Sequence, residues 1–232
     1  MKLFKTIFFI SLLLIPALLT AQAITLNTLC ITPVYNDCVV QTNGTFYRTT
    51  ASDSVSFETI RFYISGIELL ENGKSVWKEE NSFHLIDISD QKSLCIRLNT
   101  SPGFSFDKIK YNLGIDSLTN VSGALGGDLD PTKGMYWTWQ NGYINLKIEG
   151  KSNRCNTRNK EFQFHLGGYQ FPDNSLQTVT LPCKSQENII ISFDLGKFLG
   201  QVDLSKENQI MSPGNDAVLL SKKAASAFSV MK

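Results

Sequence analysis

Histidine is the residue type that most restricts the chemistry open to this chain. Only two occur among 232 residues, His84 and His165. A serine hydrolase would need one of them as its base, and the sequence has no Gly-x-Ser-x-Gly motif to carry the nucleophile. P-loop and Gly-x-Gly-x-x-Gly nucleotide motifs are also absent. Each histidine is therefore a candidate metal ligand, a common role of imidazole, or a hydrogen-bonded residue of the core.

A second candidate site is a run of oxidisable side chains. Met135, Trp137 and Trp139 are spaced two residues apart, so a strand would place all three on one face. Large aromatic residues dominate protein cores, and core packing is one interpretation. The other is an electron-rich site, because methionine sulfur and imidazole suit Cu(I).

The third candidate is a long loop over residues 116–134 that is rich in glycine and acidic residues. Asp116, Asn120, Asp128 and Asp130 offer oxygen ligands of the kind that calcium uses, although their spacing is not that of an EF-hand. The same residue types are also common in ordinary solvated turns. Long ordered loops of this kind often bind something.

The segments that must position these residues alternate between apolar and polar side chains with period two, which predicts many short strands. Asn72-Gly73 predicts a tight hairpin turn. Near the C-terminus, Ser212 and Pro213 predict the start of a helix with an apolar stripe. We predict an all-β fold, an antiparallel β-sandwich-like domain with a long Gly/Asp-rich loop and a short C-terminal helix. The predicted stripe consists of Val218, Leu219, Ala225 and Phe228.

The N-terminus predicts export. Lys2 and Lys5 form a short positive segment, an apolar run extends to Leu19, and the small residues of Ala21-Gln22-Ala23 follow. This pattern predicts a cleaved signal peptide over residues 1–23 and a mature β domain over 24–232. No second long apolar segment follows, so we expect no membrane span in the mature chain. With 22 basic and 21 acidic residues, the charge gives no reason to expect nucleic acid as a partner.

Five cysteines lie beyond the predicted signal peptide, and an oxidising compartment would favour disulfides between them. The number is odd, so at least one is free or pairs between chains. We predict that Cys155 pairs with Cys183, since both lie in the loops around one hairpin.

An ordered set of motifs resembles the MbnP-like family. It consists of Arg61-Phe62-Tyr63-Ile64-Ser65-Gly66-Ile67, Gly114-Ile115-Asp116-Ser117, Leu129-Asp130-Pro131, Gly134-Met135-Tyr136-Trp137-Thr138-Trp139, Gly142-Tyr143-Ile144-Asn145 to Glu149-Gly150, and Phe164-His165-Leu166-Gly167. This family is related to the partner protein of methanobactin systems and to copper-repressible surface proteins of methanotrophs.

The resemblance implies a β-sandwich-like fold and an exported, periplasmic or cell-surface location. The sequence shows no nucleophile–base pair or open catalytic metal site, so we expect a protein that is not an enzyme. In relatives, Cu(I) is held by histidines and by a kynurenine made from tryptophan. The resemblance further implies a partner that performs this oxidation, a dihaem enzyme of the bacterial cytochrome c peroxidase type (MbnH-type). Opening the indole ring yields an aromatic amine, which can bind a metal, whereas the intact indole N–H is only a donor.

Carried over to this chain, the resemblance places the modified residue at Trp137 or Trp139 and a copper ligand at His165. His84 is the second available histidine, and Met135 lies beside the tryptophans. In one methanotroph pattern a histidine follows the modified tryptophan by two residues, and if Trp137 is the match, Trp139 stands there instead. The alternative is an exported module that binds a non-metal ligand or partner and uses these motifs structurally.

Overall fold

Two β-sheets pack face to face in this protein. The computed structural model describes residues 25–48, 53–100 and 105–231. The predicted signal peptide, residues 1–23, lies outside these ranges. The predicted all-β, sandwich-like fold is confirmed, but the sheets are mixed, because residues 28–34 pair with 188–194, and 163–164 with 209–210, in parallel.

The smaller sheet has the order β14-β12-β1-β2, with β6 pairing with the first half of β1. Its strands are β1 (Thr25–Tyr35), β2 (Cys38–Val39), β6 (Cys95–Thr100), β12 (Asn188–Asp194) and β14 (Phe228–Val230).

The larger sheet follows the path β11-β7-β3-β9-β10-β13, with β4 and β5 also paired to β3 and β8 paired to β9. Its strands are β3 (Val55–Glu71), β4 (Lys74–Lys78), β5 (Phe83–Asp87), β7 (Lys108–Leu113), β8 (Tyr136–Trp137), β9 (Gly142–Ser152), β10 (Glu161–Gly167), β11 (Gln177–Pro182) and β13 (Gln209–Ile210).

Strand β3 organises the larger sheet, because four other strands pair with different parts of its 17 residues. It ends in the predicted hairpin: Asn72 and Gly73 both have positive φ angles, as a tight Asn-Gly turn requires, and β4 follows directly.

The core lies between the two sheets and is rich in aromatic residues. Phe193 and Phe228 of the smaller sheet stack in parallel with ring centroids 4.4 Å apart. Phe62 of β3 meets both rings edge-on, at 5.5 and 5.9 Å. Burial of such large apolar side chains is the main force that holds the sheets together.

The predicted C-terminal helix is present, but it begins at a different residue and buries a different face from those predicted. The helices are α1 (Ser117–Val121), α2 (Leu195–Leu199) and α3 (Asn215–Ala225). Helix α3 begins after Gly214, so Ser212 and Pro213 precede it and provide no cap. Its buried residues are Ala217, Leu220, Ser221 and Ala224.

The predicted apolar stripe of that helix is wrong by about one position. Leu219 is exposed, and Phe228 belongs to β14 beyond the helix end. The helix is weakly amphipathic and has small residues on its buried side, so the spacing of its apolar residues does not identify the buried face.

The predicted Cys155–Cys183 disulfide is wrong. The structure pairs Cys30 with Cys95, which lie directly opposite each other on the antiparallel strands β1 and β6. Cys155 and Cys183 are buried free thiols, and Cys38 is an exposed one. Sequence spacing cannot reveal this pairing, because the two bonded residues are 65 positions apart and meet only through the sheet topology.

Among the residues that the structure describes, no strand pairs with the outer edge of β5, and side chains bind its backbone instead. The backbone N–H of Leu85 donates to the Asp128 carboxylate, at 3.0 Å, and that of Asp87 donates to the Ser93 hydroxyl, at 2.8 Å. Within the described ranges, no helix combines the length and apolar character needed to span a bilayer.

Candidate metal centre

The larger sheet has an inner face, which packs on the smaller sheet, and an outer face. Strand alternation and the pairing register decide which residues share a face. Phe62, Ile86, Leu146 and Leu166 are register neighbours and belong to the core between the sheets. The positions next to them form a polar row on the outer face: Asp87, Arg61, Lys147 and His165.

His165 is the most enclosed member of this row. Its side chain is 9% exposed, and Nε2 lies 2.7 Å from Oε1 of Glu149 on the neighbouring strand. Lys147 Nζ lies 3.8 Å from the same carboxylate oxygen. The antiparallel pairing of β9 with β10 brings these three side chains together.

The electrostatics of this group set the protonation of His165. Burial, the dominant effect, lowers the pKa of His165 below its ordinary value, so the ring is neutral at pH 7. Burial also pushes the pKa of Glu149 upward, but hydrogen bonds from Thr59 and His165 and the charge of Lys147 outweigh it, so the net pKa is lowered. An ionised carboxylate only accepts hydrogen bonds, so Nε2 carries the proton and Nδ1 has a free lone pair.

Trp137 packs against the strand that carries this histidine. A Cβ atom added at Gly167, two residues after His165 in β10, would come within 2.5 Å of the six-membered ring of Trp137. The indole ring therefore packs against the bare backbone at Gly167. Two residues of a strand span about 6.6 Å, so the contact of Trp137 with β10 lies about that far along the strand from His165.

The prediction that Met135, Trp137 and Trp139 share one strand face is wrong. Strand β8 ends at Trp137, and the following turn places Trp139 on the surface, 63% exposed. Its ring lies 5.6 Å from the Trp137 ring, which is 8% exposed. Met135 is fully buried with Tyr63 in a small second core on the outer face.

The structure does not bring His84 to the same place. His84 is two residues from Ile86 in β5, so it belongs to the inner face, whereas His165 belongs to the outer face. Two further strands, β3 and β9, separate β5 from β10. His84 Nε2 pairs with Glu79 Oε2 at 2.8 Å and lines a cavity of about 600 Å³ at the edge of the sheet.

In the acidic loop, each of the three carboxylates has its own hydrogen-bond partners. Asp116 caps helix α1 through Thr119, and Asp130 caps a short 3-10 turn through Thr132. Asp128 accepts from the Leu85 backbone and from Lys133. Among the residues that the structure describes, no group of three or more histidine, cysteine or acidic side chains is placed to hold a metal ion. Among these residues, Asp116, Asp128 and Asp130 thus do not converge on one such group.

Buried polar residues anchor this loop to the sheet. Asn145 of β9 accepts from the Ile115 backbone at 2.9 Å, and Asn120 accepts from the Tyr143 backbone at 2.8 Å. The Tyr63 hydroxyl donates to the Asp128 carbonyl at 3.1 Å. These bonds fix the segment that leads into Trp137.

Sequence analysis missed the two residues that define the surroundings of His165 and Trp137. Glu149 stands in a recognised motif block, and pairing the strands on either side of the turn at 150–159 would have placed it near His165. Gly167 is also in a motif, but only the three-dimensional approach of the Trp137 ring explains the need for glycine.

The packing at Gly167 predicts a strong effect of one methyl group. Gly167→Ala should lower the free energy of unfolding by about 1–3 kcal/mol, because the added Cβ would meet both the Trp137 ring and the Tyr143 carbonyl oxygen. Gly126→Ala is the matched control, since nothing lies within 4 Å of its added Cβ. Urea unfolding measures both variants. Equal stability of the two variants would contradict the placement of Trp137.

The pKa shifts predict how stability depends on pH. The unfolded chain protonates histidine at about pH 6.5, but folded His165 resists protonation, so metal-free protein should lose stability as pH falls from 7 to about 5. Further loss should follow below about pH 4.3, where unfolded glutamate is protonated before folded Glu149. His165→Gln should flatten the upper part of this dependence in urea titrations. His84→Gln should keep the part of the pH dependence that comes from His165. If His165→Gln lost stability between pH 7 and about pH 5 as steeply as the unchanged protein, the pH dependence could not be attributed to His165.

Comparison with known proteins supports the family resemblance that the sequence motifs indicate. A family model described as MbnP matches residues 24–212. The fold is similar to that of MbnP from Methylosinus trichosporium, with a TM-score of 0.61 over 84% of this chain and 86% of that chain, at 15% sequence identity. No curated protein matches the sequence. The family model covers well over half of the sequence, and the chain belongs to the MbnP family.

Proposed function

We propose that this protein is an exported, non-enzymatic copper-binding protein in which His165 and an oxidised Trp137 hold Cu(I). Membership of the MbnP family supports the class of function. The observation that carries the proposal is the juxtaposition of a buried, carboxylate-oriented histidine with a tryptophan against the same strand.

The arrangement around His165 is that of a typical metal-ligating histidine. Such a residue commonly donates one ring N–H to a carboxylate, which fixes the tautomer and leaves the other nitrogen for the metal. Glu149 has this orienting role here, and Nδ1 of His165 is the donor atom. Bound copper would supply a soft, low-coordinate centre suited to nitrogen and sulfur ligands.

Trp137 is the tryptophan that we propose as the modified one. Oxidation breaks the C2–C3 bond of the indole and adds one oxygen atom to each carbon, and hydrolysis then releases formate and leaves an aromatic amine. With hydrogen peroxide as oxidant, two molecules are reduced to water for each ring opened. A dihaem partner enzyme of the cytochrome c peroxidase type would catalyse this step, for which this chain is the substrate.

His84 does not fit this centre, because it lies on the opposite face of the sheet. The proposed site therefore contains one histidine of this chain and one modified residue. Export to the periplasm or cell surface, through a signal peptide over residues 1–23, would place the protein in a compartment where copper and the haem enzyme meet it. The alternative function, a module for a non-metal ligand, requires neither histidine for binding.

Copper titration of single-histidine variants tests the ligand assignment. Protein co-expressed with its haem partner should bind Cu(I), and His165→Ala should abolish this binding while His84→Ala preserves it. Glu149→Gln should weaken binding by about 10–100-fold, the usual effect of removing a carboxylate that orients a ligand. Competition with a chromophoric Cu(I) chelator gives the affinities. Equal losses in the two histidine variants, with unchanged melting temperatures, would overturn the one-histidine site.

Peptide mass spectrometry tests which tryptophan reacts. After peroxide treatment with the haem partner, the peptide that contains residues 134–146 should carry formylkynurenine or kynurenine, and fragmentation should place it at Trp137. Trp137→Phe should remove both the modification and copper binding, whereas Trp139→Phe should leave the mature site intact once it has formed. Modification confined to Trp139, or none at all, would reject the proposed centre.

A further inference from the structure

One end of the larger sheet carries a surface without charged residues. Residues 117–127, 134–146 and 168–172 contain no Asp, Glu, Lys, Arg or His, in a chain of which 19% is charged. The three segments are in contact: the Ser117 hydroxyl donates to the Tyr169 carbonyl at 2.6 Å, and Asn120 accepts from the Tyr143 backbone. We call this surface the uncharged face.

Large apolar side chains project from the uncharged face into solvent. Phe171 is 97% exposed, and Trp139, Leu118 and Val121 are also exposed. A group of apolar side chains that a folded protein leaves in water commonly marks a binding site.

Within the uncharged face lies a cavity of about 600 Å³, lined by uncharged residues alone. Its hydroxyl and amide groups come from Tyr136, Thr138, Asn141, Tyr169 and Gln170. None of these five side chains forms a hydrogen bond with another residue that the structure describes. Their donors and acceptors are therefore available to a ligand.

The aromatic part of the cavity is held in place. A Cβ atom at Gly142 would come within 2.9 Å of the Tyr169 ring, so this ring packs on bare backbone. The Tyr136 ring meets the buried Tyr143 ring edge-on, with centroids 5.0 Å apart. Fixed rings lose little conformational freedom when a ligand binds, which favours affinity.

We propose that this cavity binds a neutral oligosaccharide. Sugar hydroxyl groups both donate and accept, as do the hydroxyls and amides of the lining, while the apolar faces of sugar rings can lie on tyrosine and tryptophan. A charged ligand would find no opposite charge in the cavity to offset its lost hydration. A dry protein interface would bury these polar groups without partners, which is unfavourable.

Calorimetric titration with maltohexaose, cellohexaose and chitohexaose tests the proposal. At least one of these neutral sugars should bind saturably at concentrations up to about 10 mM, the range of weak small-ligand sites. Binding should also change the fluorescence of Trp139, which lies in the same turn as Thr138 and Asn141. The double variant Thr138→Ala/Gln170→Ala should weaken binding by about tenfold or more.

Gln91→Ala, at an exposed site elsewhere, should bind the sugar like the unchanged protein. The double variant should keep the melting temperature, because both of its residues are exposed. Three results would overturn the proposal: no saturable binding of any of the three sugars, unchanged affinity in the double variant, or equally strong binding of hexagalacturonic acid. Concentration-dependent dimers that Phe171→Ser dissociates, without sugar binding, would identify a self-association surface instead. Copper titration is independent of all these outcomes.

Discussion

The register of the strands around β3 is the constraint on which both faces of the larger sheet depend. Because side chains alternate between faces, a slip of one residue would move Phe62 out of the core and Arg61 into it. The continuous row from Asp87 through Lys147 to His165 exists because β5, β3, β9 and β10 keep this register. The packing of Phe62 against Phe193 and Phe228 makes every other register unfavourable, so the apolar core fixes the position of polar groups on the opposite side.

His165 illustrates how a strand can orient a candidate ligand. Its neighbours in β10 are apolar and face the core between the sheets, whereas His165 faces the opposite side. There the Glu149 carboxylate orients Nε2 of the ring and leaves Nδ1 free. The anchoring of the preceding loop by Asn120 and Asn145 brings Trp137 to the same strand without any direct bond between the two candidate ligands. The site is thus assembled from two independent constraints, sheet register and loop anchoring.

The sequence predicted those features that depend on local pattern. Strand alternation, the Asn72-Gly73 hairpin and the motif blocks were sufficient to predict the sandwich. They also named His165 as a candidate ligand and left the modified residue open between Trp137 and Trp139. Features that depend on which distant segments meet were not predictable: the Cys30–Cys95 pair, the separation of His84 from His165, and the Glu149 partner all follow from strand order. The exposed position of Trp139 was missed because its spacing fits a strand, whereas the backbone turns at residue 138.

Asp128 also affects whether this chain can pair with other chains while it folds. An open strand edge can recruit the backbone of a second molecule and begin a growing intermolecular sheet. By accepting the Leu85 N–H, the Asp128 carboxylate occupies a hydrogen bond that such a molecule would need. This hydrogen bond therefore disfavours edge-to-edge pairing at β5, a contribution separate from ligand binding.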